Sequence, residues 1–463
     1  MSGLSNVNTP QLKLLHRGKV RDSFRVDDRT RLIVVTDRIS AFDLKIETPI
    51  PGKGEVLNKL AAFWFHRTRD IVPNHLIRTV GTHGALVREA APIKVEVIVR
   101  GYMAGSMARG YSQGLRVFSG VTVPEGLTEN GRLPRPIVTP TTKEESDREI
   151  TPDAIAAEGL LSRAHYDELE RIALALFARG TEVLAERGLL LADTKYEFGF
   201  IDGEIVLIDE IHTPDSSRIW DAERYALSPA EVPPLDKEFV RTHMLAEKRR
   251  TGSYPRTLPA EIVEETIRRY ATLYTRVTGE RLHNPAVPAN DLRDALVAEG
   301  LIKPGFVAMV MGSPKDRAHA EKLVGMLRPY GVHTVMRVCS AHKNGERIPE
   351  LVAAYGETLE PGVVIAIAGE SNGLGGALAA NLPIPVINAP PFADRADIAL
   401  NVASSLMMPS STPASTCIRP DNAAQAAIRA LNVPALRARL SAEIRALKQS
   451  LLEADDELSG LSA

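Results

Sequence analysis

In the stretch LADTKYEFGFIDGEIVLIDEIHTPDSSRIW, residues 191–220, Asp193, Lys195 and Glu197 occupy alternate positions of a β-rich run. Alternate residues of a strand point to one face, so this strand presents charges where a half-buried strand would carry apolar side chains. The turn after Phe200 decides what meets them. A two-residue Asp202-Gly203 loop would set Lys195 opposite Glu210 and turn Asp209 to the other face. A three-residue loop from Ile201 to Gly203, with Gly203 left-handed in a G1 bulge, sets Lys195 opposite Asp209. The second register is expected. It gathers Asp193, Lys195, Glu197 and Asp209, and it leaves Tyr196, Phe198, Val206 and Ile208 as core. Three carboxylates around one lysine suit a Mg²⁺–triphosphate site, in which hard oxygens hold the ion and the ammonium meets a phosphate or carboxylate. A solvated edge hairpin with cross-strand ion pairs would carry the same residues.

Other segments of the first half fit anion binding. RGKVRD places Lys19 and Arg21 at alternate positions of an early strand, suited to gripping phosphates, although basic strand edges are common. VEVIVRGYMAGSMARGY ends a strand with Arg100, followed by a loop holding Gly105 and Ser106. PDSSR supplies Ser216, Ser217 and Arg218. Arginines beside hydroxyls and glycines fit bidentate recognition of a phosphate or carboxylate.

In the second half, MGSPKDRAHAEK follows a strand and opens a helix, so backbone N–H groups and Ser313 could cradle a phosphate. A plain helix cap would account for it equally. SAHKNG and AGESNGLGG hold the same position after the second and third strands. The three loops therefore share the C-terminal edge of one sheet, where doubly wound folds bind ligands. Of the 11 histidines, only His342 stands at that edge as an acid–base candidate; His319 and His333 read as surface or structural residues.

The elements that must position these residues fall into two architectures. A chain of 463 residues is too long for one core. RLIVVTD, KVEVIVRGY, TKYEFGF and EIVLIDE alternate with two amphipathic helices, HYDELERIALALFARGTEVLAERG and PAEIVEETIRRYATLYTRVTG, the latter stopped by Gly279. This is an α+β domain over residues 1–282. LHNPAVPAND begins a linker over 283–303. From 304 to 463, FVAMVMG, HTVMRVCS, GVVIAIAG and IPVINAPP are continuous apolar strands, each followed by a helix-compatible segment. They predict a doubly wound parallel α/β domain that ends in a charged helix. With 56 basic against 58 acidic residues, the charge of -2 gives no nucleic-acid surface or polybasic membrane patch. Cys339 and Cys417 lack metal-ligand spacing and read as buried thiols of a reducing compartment. The N-terminus has no signal-peptide core, and no apolar run approaches the ~20 residues that span a bilayer. A cytoplasmic protein is expected.

RGKVRDSF, VTDRISAFD, VEVIVRGYMAGS, TPTTKEESD, DTKYEFG and IDEIHTPDSSRIW, in this order and spacing, closely resemble the SAICAR synthetase family of purine biosynthesis over residues 10–280. The resemblance implies that ATP phosphorylates the carboxylate of carboxyaminoimidazole ribonucleotide and that the amine of L-aspartate displaces phosphate to form an amide. By matched position, Lys19 and Arg21 fall in the ATP-phosphate segment, and Lys143 in a loop near the nucleotide. Glu197 and Asp209 match Mg²⁺ ligands. Arg100, Ser106, Asp193, Lys195, Arg218 and Arg241 match positions at the imidazole ribonucleotide, with Lys195 and Asp193 closest to the chemistry. The segment after Lys143, KEESDREI, is shorter than the family's usual one; it offers Asp147 but lacks the neighbouring histidine.

MGSPKD, VCSAHK and AGESNGLGG resemble the aminoimidazole ribonucleotide carboxylase family over residues 305–455. One of its subclasses, a mutase of the N5-carboxylated ribonucleotide, carries GGAAHLPG in the third loop. The other uses CO₂ directly, carries AGRSNGLG, and is fused to SAICAR synthetase in animals. AGESNGLG and MMPSSTPAST look like the CO₂-using subclass. The resemblance implies Ser340 and His342 at the reacting carbon, with His342 moving the C4 proton. It implies Ser313 and Asp316 on the phosphate and ribose, Ser371 and Asn372 at the CO₂ pocket, and no metal or biotin. Glu370 stands where arginine is usual and by sign disfavours a carboxylate, unless it turns outward or pairs with a cation such as Lys343. The resulting reading is a bifunctional enzyme that makes carboxyaminoimidazole ribonucleotide from aminoimidazole ribonucleotide and CO₂, then couples it to aspartate. It would assemble as an octamer through the second domain. The alternatives are a second domain acting as mutase or as an inert oligomerisation module, and a purine-nucleotide sensor without turnover.

Overall fold

The computed structural model describes residues 3–42, 44–144, 147–392 and 395–460, so the shortened loop after Lys143 lies partly outside the described residues. Contacts divide the chain into two compact units: residues 1–6 with 13–292, and residues 7–12 with 293–463. The segment read as a linker is not an extended connector. It contains the helix Pro288–Ala298, whose Leu292 and Leu296 are buried.

The first unit holds two five-stranded sheets. One is antiparallel, with Lys13–Arg17, Arg21–Arg25, Thr30–Val35, Gly84–Arg88 and Leu76–Val80 in spatial order. Lys19 does not lie on a strand as expected. It sits exposed in the turn before Arg21, because Gly18 N–H closes that turn on the Arg21 carbonyl at 2.8 Å. The other sheet runs Arg132–Thr142, Ala91–Tyr102 and Leu189–Ile201. Beyond Leu189–Ile201 the next position is shared: Glu204–Ile208 pairs with one half of that long strand and Ser217–Asp221 with the other. The helices Arg163–Ala185 and Ala260–Thr278 cover the core, and Gly279 ends the second with φ 79°.

The hairpin at Asp202-Gly203 corrects the expected register. Ile201 pairs with Glu204 and Glu197 with Ile208, a two-residue loop with φ 52° at Asp202 and 85° at Gly203. Two successive left-handed residues form the turn whose twist matches antiparallel strands, and Asp tolerates that conformation better than most residues. Consequently Ile205 and Leu207 join Tyr196 and Phe198 in one core cluster, while Val206 and Ile208 are buried on the opposite face of the strand.

The second unit is a five-stranded parallel sheet with His333–Val338, Phe306–Met311, Gly362–Ile367, Val386–Asn388 and Ser415–Thr416 in spatial order. Strand alternation sends Val307, Met309, Ile365 and Ile367 to one layer, under the helices Arg317–Leu327 and Pro420–Leu431. Phe306, Ala308, Val364 and Ala366 face the other layer, with Ile348–Tyr355 and Gly373–Asn381. Apolar side chains on both faces explain the continuous hydrophobic runs. The helix Pro434–Gly460 ends the described chain. Both fold classes read from the sequence hold.

Residues 7–12 belong to this second unit through polar contacts. Thr9 Oγ1 and Gln11 Nε2 donate to Glu360 Oε1 at 2.7 and 2.9 Å, and the Leu359 N–H donates to the Asn8 carbonyl at 2.8 Å. Burial, with both donors opposing it, holds the Glu360 carboxyl above its ordinary range. Thr9→Val removes a donor from this buried group. It should cost the second unit about 1–3 kcal/mol, read as faster hydrogen exchange in Phe306–Met311 and Gly362–Ile367 with unchanged exchange in Leu189–Ile201.

Candidate active sites

The first site forms where the partner of Leu189–Ile201 is interrupted. Between Ile208 and Ser217 the chain leaves the ladder, with left-handed Asp209 (φ 66°) and His212 (φ 49°). Lys195 therefore faces neither Asp209 nor Glu210; its N–H donates to the Ser216 carbonyl at 3.0 Å. The segment is anchored from below by His212, which is fully buried, bonded to the Tyr196 hydroxyl at 2.7 Å and packed edge-on against Trp64. Burial drives the His212 pKa down to about 3, so this anchor is uncharged near neutrality.

On the other side, Ala91–Tyr102 pairs Arg100 with Asp193, Ile98 with Lys195 and Glu96 with Glu197. The Lys195 ammonium reaches diagonally past Ile98 and lies 2.7 Å from both Glu96 and Glu197. Glu197 also pairs with Lys143. Burial opposes charge on Glu197, but Lys195 and Lys143 outweigh it and hold the carboxyl at about 2. For Lys195, burial lowers the pKa, yet Glu197, Glu96 and Asp209 together leave it raised.

Asp209 lies outside the ladder with a left-handed backbone, φ 66°. Its carboxylate lies 3.1 Å from Arg21, which also binds Glu210 at 2.7 Å. Burial pushes Asp209 up to about 7 against the pull of Arg21, with the charges of Glu197 and Glu210 adding to the rise. Among the described residues no ion pair or hydrogen bond joins Asp209 to Lys195 or Glu197; its ion-pair partner is Arg21. Such an excess of hard oxygen charge fits a divalent cation. Among the described residues no three His, Cys, Asp or Glu side chains are spaced to hold an ion alone. Mg²⁺ requires only one or two protein carboxylates when phosphates complete its shell.

Asp193 holds two arginines, Arg218 at 2.6 Å and Arg100 at 3.5 Å. Arg100 donates to Thr139 Oγ1 at 2.9 Å and to Ser106 Oγ at 3.4 Å. Arg218 also meets Glu238, 3.2 Å away, and Glu238 meets Arg241 at 3.3 Å. Gly105, with φ 62°, lies so close under the Arg218 guanidinium that a Cβ would stand 2.4 Å from it. These side chains, with Lys195, line a cavity of about 870 Å³. The structure brings Arg100, Ser106, Asp193, Lys195, Arg218 and Arg241 onto that one cavity; Lys19 is not among its lining residues.

Sequence reading passed over Glu96, Lys53, Asp215 and Lys237. Glu96 had a signal, since it alternates with Arg100 on one strand. Lys53 had none: it is a fully buried helix-start lysine that finds Asp215 at 2.8 Å across 162 residues. Arg38 was also missed; its guanidinium binds the buried Asp22 at 2.6 Å and the Gly18 carbonyl at 3.0 Å, fixing the turn before Arg21.

In the second unit the three loops do meet at the C-terminal sheet edge. Ser313 caps a short turn by accepting from the Lys315 N–H at 3.2 Å, and burial raises the Asp316 carboxyl above its ordinary value. The Ser340 N–H donates to Asn344 Oδ1 at 2.7 Å. The His342 ring lies on Gly373, where a Cβ would stand 2.8 Å from Cε1 and 2.9 Å from Nε2. Asn372 is buried and committed, accepting from the Gly375 N–H at 3.0 Å and donating to Ser405 at 2.9 Å. It builds the loop that carries Ser371. Glu370 takes φ 55°, fixed by its N–H donating to Asn401 at 2.6 Å, and is exposed. Among the described residues no ion pair joins it to Lys343.

Gly180, in the helix Arg163–Ala185, leaves room for His212: a Cβ there would stand 2.4 Å from the ring. Gly180→Ala should therefore cost about 1–3 kcal/mol by overpacking, despite alanine's better helix propensity. Chemical denaturation of the first unit, followed by Trp64 fluorescence, measures it.

Comparison with known proteins agrees with this division. A model of SAICAR synthetase matches residues 14–257, and a model of AIR carboxylase matches residues 306–452. A phosphoribosylaminoimidazole-succinocarboxamide synthase of Flavobacterium psychrophilum is 45% identical over 287 residues, 60% of this chain and 90% of that protein. One of Bacteroides fragilis is 45% identical over 290 residues, 60% of this chain and 91% of its own. A solved SAICAR synthase from Saccharomyces cerevisiae, complexed with SAICAR, is 34% identical with a TM-score of 0.54, covering 60% of this chain and 99% of that one. The chain belongs to the SAICAR synthetase family, and it carries an AIR carboxylase domain on the same polypeptide.

Proposed function

We propose that this chain performs two consecutive steps: carboxylation of aminoimidazole ribonucleotide with CO₂, then ATP-dependent ligation of L-aspartate to the product through an acyl phosphate, giving SAICAR. The observation that carries the ligase half is the Lys195 ammonium held between Glu96 and Glu197 on a cavity edged by Arg100, Arg218 and Arg241. In this reading the carboxylate of carboxyaminoimidazole ribonucleotide attacks the γ-phosphorus of ATP and ADP leaves. The aspartate amine then attacks the acyl carbon, losing a proton as phosphate departs. Lys195 neutralises the carboxylate as it is activated, and Asp193 fixes Arg100 and Arg218 for the ribonucleotide, with Ser106 and Arg241 beside them. Arg21, with Lys19 and Lys143, serves the ATP phosphates. Glu197 and Asp209 would hold Mg²⁺, which supplies charge neutralisation on the triphosphate.

In the second domain, assigned to residues 304–463 after a ligase domain of 1–282 and a connecting segment of 283–303, His342 takes the C4 proton once the ring carbon has bonded to CO₂. Ser340 orients the ring. Ser313, Asp316 and Lys343 receive phosphate and ribose, and Ser371 and Asn372 border the CO₂ pocket. No biotin is invoked. The third loop, AGESNGLGG, supports direct use of CO₂ over the N5-carboxylated substrate. An exposed Glu370 is compatible with an anionic ligand, which argues against an inert module. The helix Pro434–Gly460 exposes Ile444, Leu447, Leu451 and Leu458 at spacings of three, four and seven. That seam supports assembly through this domain, which we take to be octameric. Among the described residues no helix is long and apolar enough to cross a membrane, and we take the protein to act in the cytoplasm.

A coupled assay from aminoimidazole ribonucleotide, bicarbonate, ATP and aspartate tests the whole reading. Lys195→Ala should stop SAICAR formation while carboxyaminoimidazole ribonucleotide still accumulates without ATP. His342→Ala should stop carboxylation while SAICAR still forms from added carboxyaminoimidazole ribonucleotide. Persistence of carboxylation in His342→Ala would remove the role given to that residue. Gly373→Ala should reproduce the His342→Ala defect, and in the His342→Ala background it should add no further loss. An additive loss would mean that Gly373 acts on the fold and not through the imidazole.

A further inference from the structure

Residues 283–292, the first part of the connecting segment, belong to the first unit and lie beyond residue 257, where the match to SAICAR synthetase ends. Their polar contacts converge on one place, the first turn of the helix Lys53–Arg67. Its own sequence caps that turn poorly: Gly52 stands at the N-cap with φ 88° and no side-chain hydrogen bond. The first N–H groups therefore need partners from elsewhere in the fold. The Gly54 N–H donates to Asp37 Oδ1 at 2.8 Å. His83 stands 3.5 Å from the same oxygen, and its other ring nitrogen lies 2.8 Å from Thr82 Oγ1. Thr82 in turn donates through its N–H and its hydroxyl to Asp291 Oδ2, at 2.9 and 2.7 Å. Glu55 meets the segment directly. Its buried carboxylate accepts from the His283 and Asn284 N–H groups at 2.7 and 2.9 Å, one on each oxygen.

Lys53 precedes these two residues in the same turn, and its buried ammonium holds Asp215 Oδ2 at 2.8 Å. Asp215 stands on the wall of the large cavity, within the segment between Ile208 and Ser217 that leaves the ladder. That segment also carries Asp209, and it offers the Ser216 carbonyl to the Lys195 N–H at 3.0 Å. A stretch without ladder bonds keeps its place through single contacts of this kind. Breaking a buried ion pair is costly, so the segment follows Lys53, and Lys53 follows its helix turn.

We infer that Glu55 and Asp291 are positioning residues of the ligase site: with residues 283–292 they fix the first turn of Lys53–Arg67, and through the Lys53–Asp215 pair they fix the segment 209–216. The part played in ligation rests on the ligase reading above; the contacts do not. The two acids differ in what an amide would do to them. Glu55 accepts on both oxygens, so glutamine would turn its NH₂ against a backbone N–H. Asp291 takes both Thr82 bonds on one oxygen, which the carbonyl of asparagine can replace.

The test uses the full chain, assayed for SAICAR formation from added carboxyaminoimidazole ribonucleotide, ATP and aspartate. Glu55→Gln and Asp291→Ala should each lower kcat by about 10- to 100-fold, the scale of a small misplacement within a site. KM for the ribonucleotide should stay within about twofold of the unaltered value, because Arg100 and Arg218 are held by Asp193 and not by Lys53 or Asp215. Asp291→Asn should keep kcat within about twofold. Hydrogen exchange of the unliganded chain should quicken over 53–57 and 209–217 in Glu55→Gln and Asp291→Ala, and stay unchanged in Ala91–Tyr102. A lower kcat with unaltered exchange over 209–217 would overturn the inference. So would equal losses in Asp291→Asn and Asp291→Ala, or a raised ribonucleotide KM with faster exchange throughout the unit, which would mark a loosened fold. If the unaltered chain forms no SAICAR, the ligase reading falls by itself, and the exchange comparison still decides whether residues 283–292 position the segment.

Discussion

The first unit is organised by a gap in a β-ladder. Leu189–Ile201 is long enough to pair with two strands end to end, and the eight residues between them, 209–216, have no ladder to join. Unpaired backbone groups must find partners, and here they do so through left-handed turns and short side-chain bonds among Glu210, Thr213 and Ser216. The same departure opens one flank of Lys195. A continuous partner strand would have covered that flank with a side chain. The gap can persist only because His212 plugs the apolar side beneath it, between Tyr196, Trp64 and the bare surface of Gly180.

Charge in this site is arranged to be incomplete. Lys195 and Glu197 are mutually satisfied, and their pKa values move apart as a strong pair requires. Asp209 and Lys237 sit in the opposite condition, each buried with less compensation than its charge demands. In both, burial is the leading cause, and neighbours of both signs partly cancel. Under the proposed function, a metal–nucleotide and the other ligands would supply the missing partners.

The second unit reaches its site by the opposite route. Nothing in it depends on a break; a parallel sheet places three loops at one edge by topology alone. Its one demanding contact is His342 against Gly373, where backbone replaces a side chain at the start of Gly373–Asn381. The left-handed Glu370, tied to Asn401, turns the loop so that its carboxylate is exposed.

Periodicity alone was enough for both fold classes, for the long helices with the Gly279 stop, and for the sharing of one sheet edge by Ser313, His342 and Ser371. Those features follow from local rules: alternation, 3.6-residue spacing and the position of loops after strands. Alternation also aligned Asp193, Lys195 and Glu197. The hairpin register departs from the one that grouping of charge predicts, because the paired left-handed angles at Asp202 and Gly203 set it. Asp209 pairs with Arg21 from a left-handed backbone angle that no spacing rule encodes. Likewise the Lys53–Asp215 pair and the burial of Lys237 join residues far apart in sequence. Their energetics come from desolvation, and desolvation exists only once the chain has closed around them.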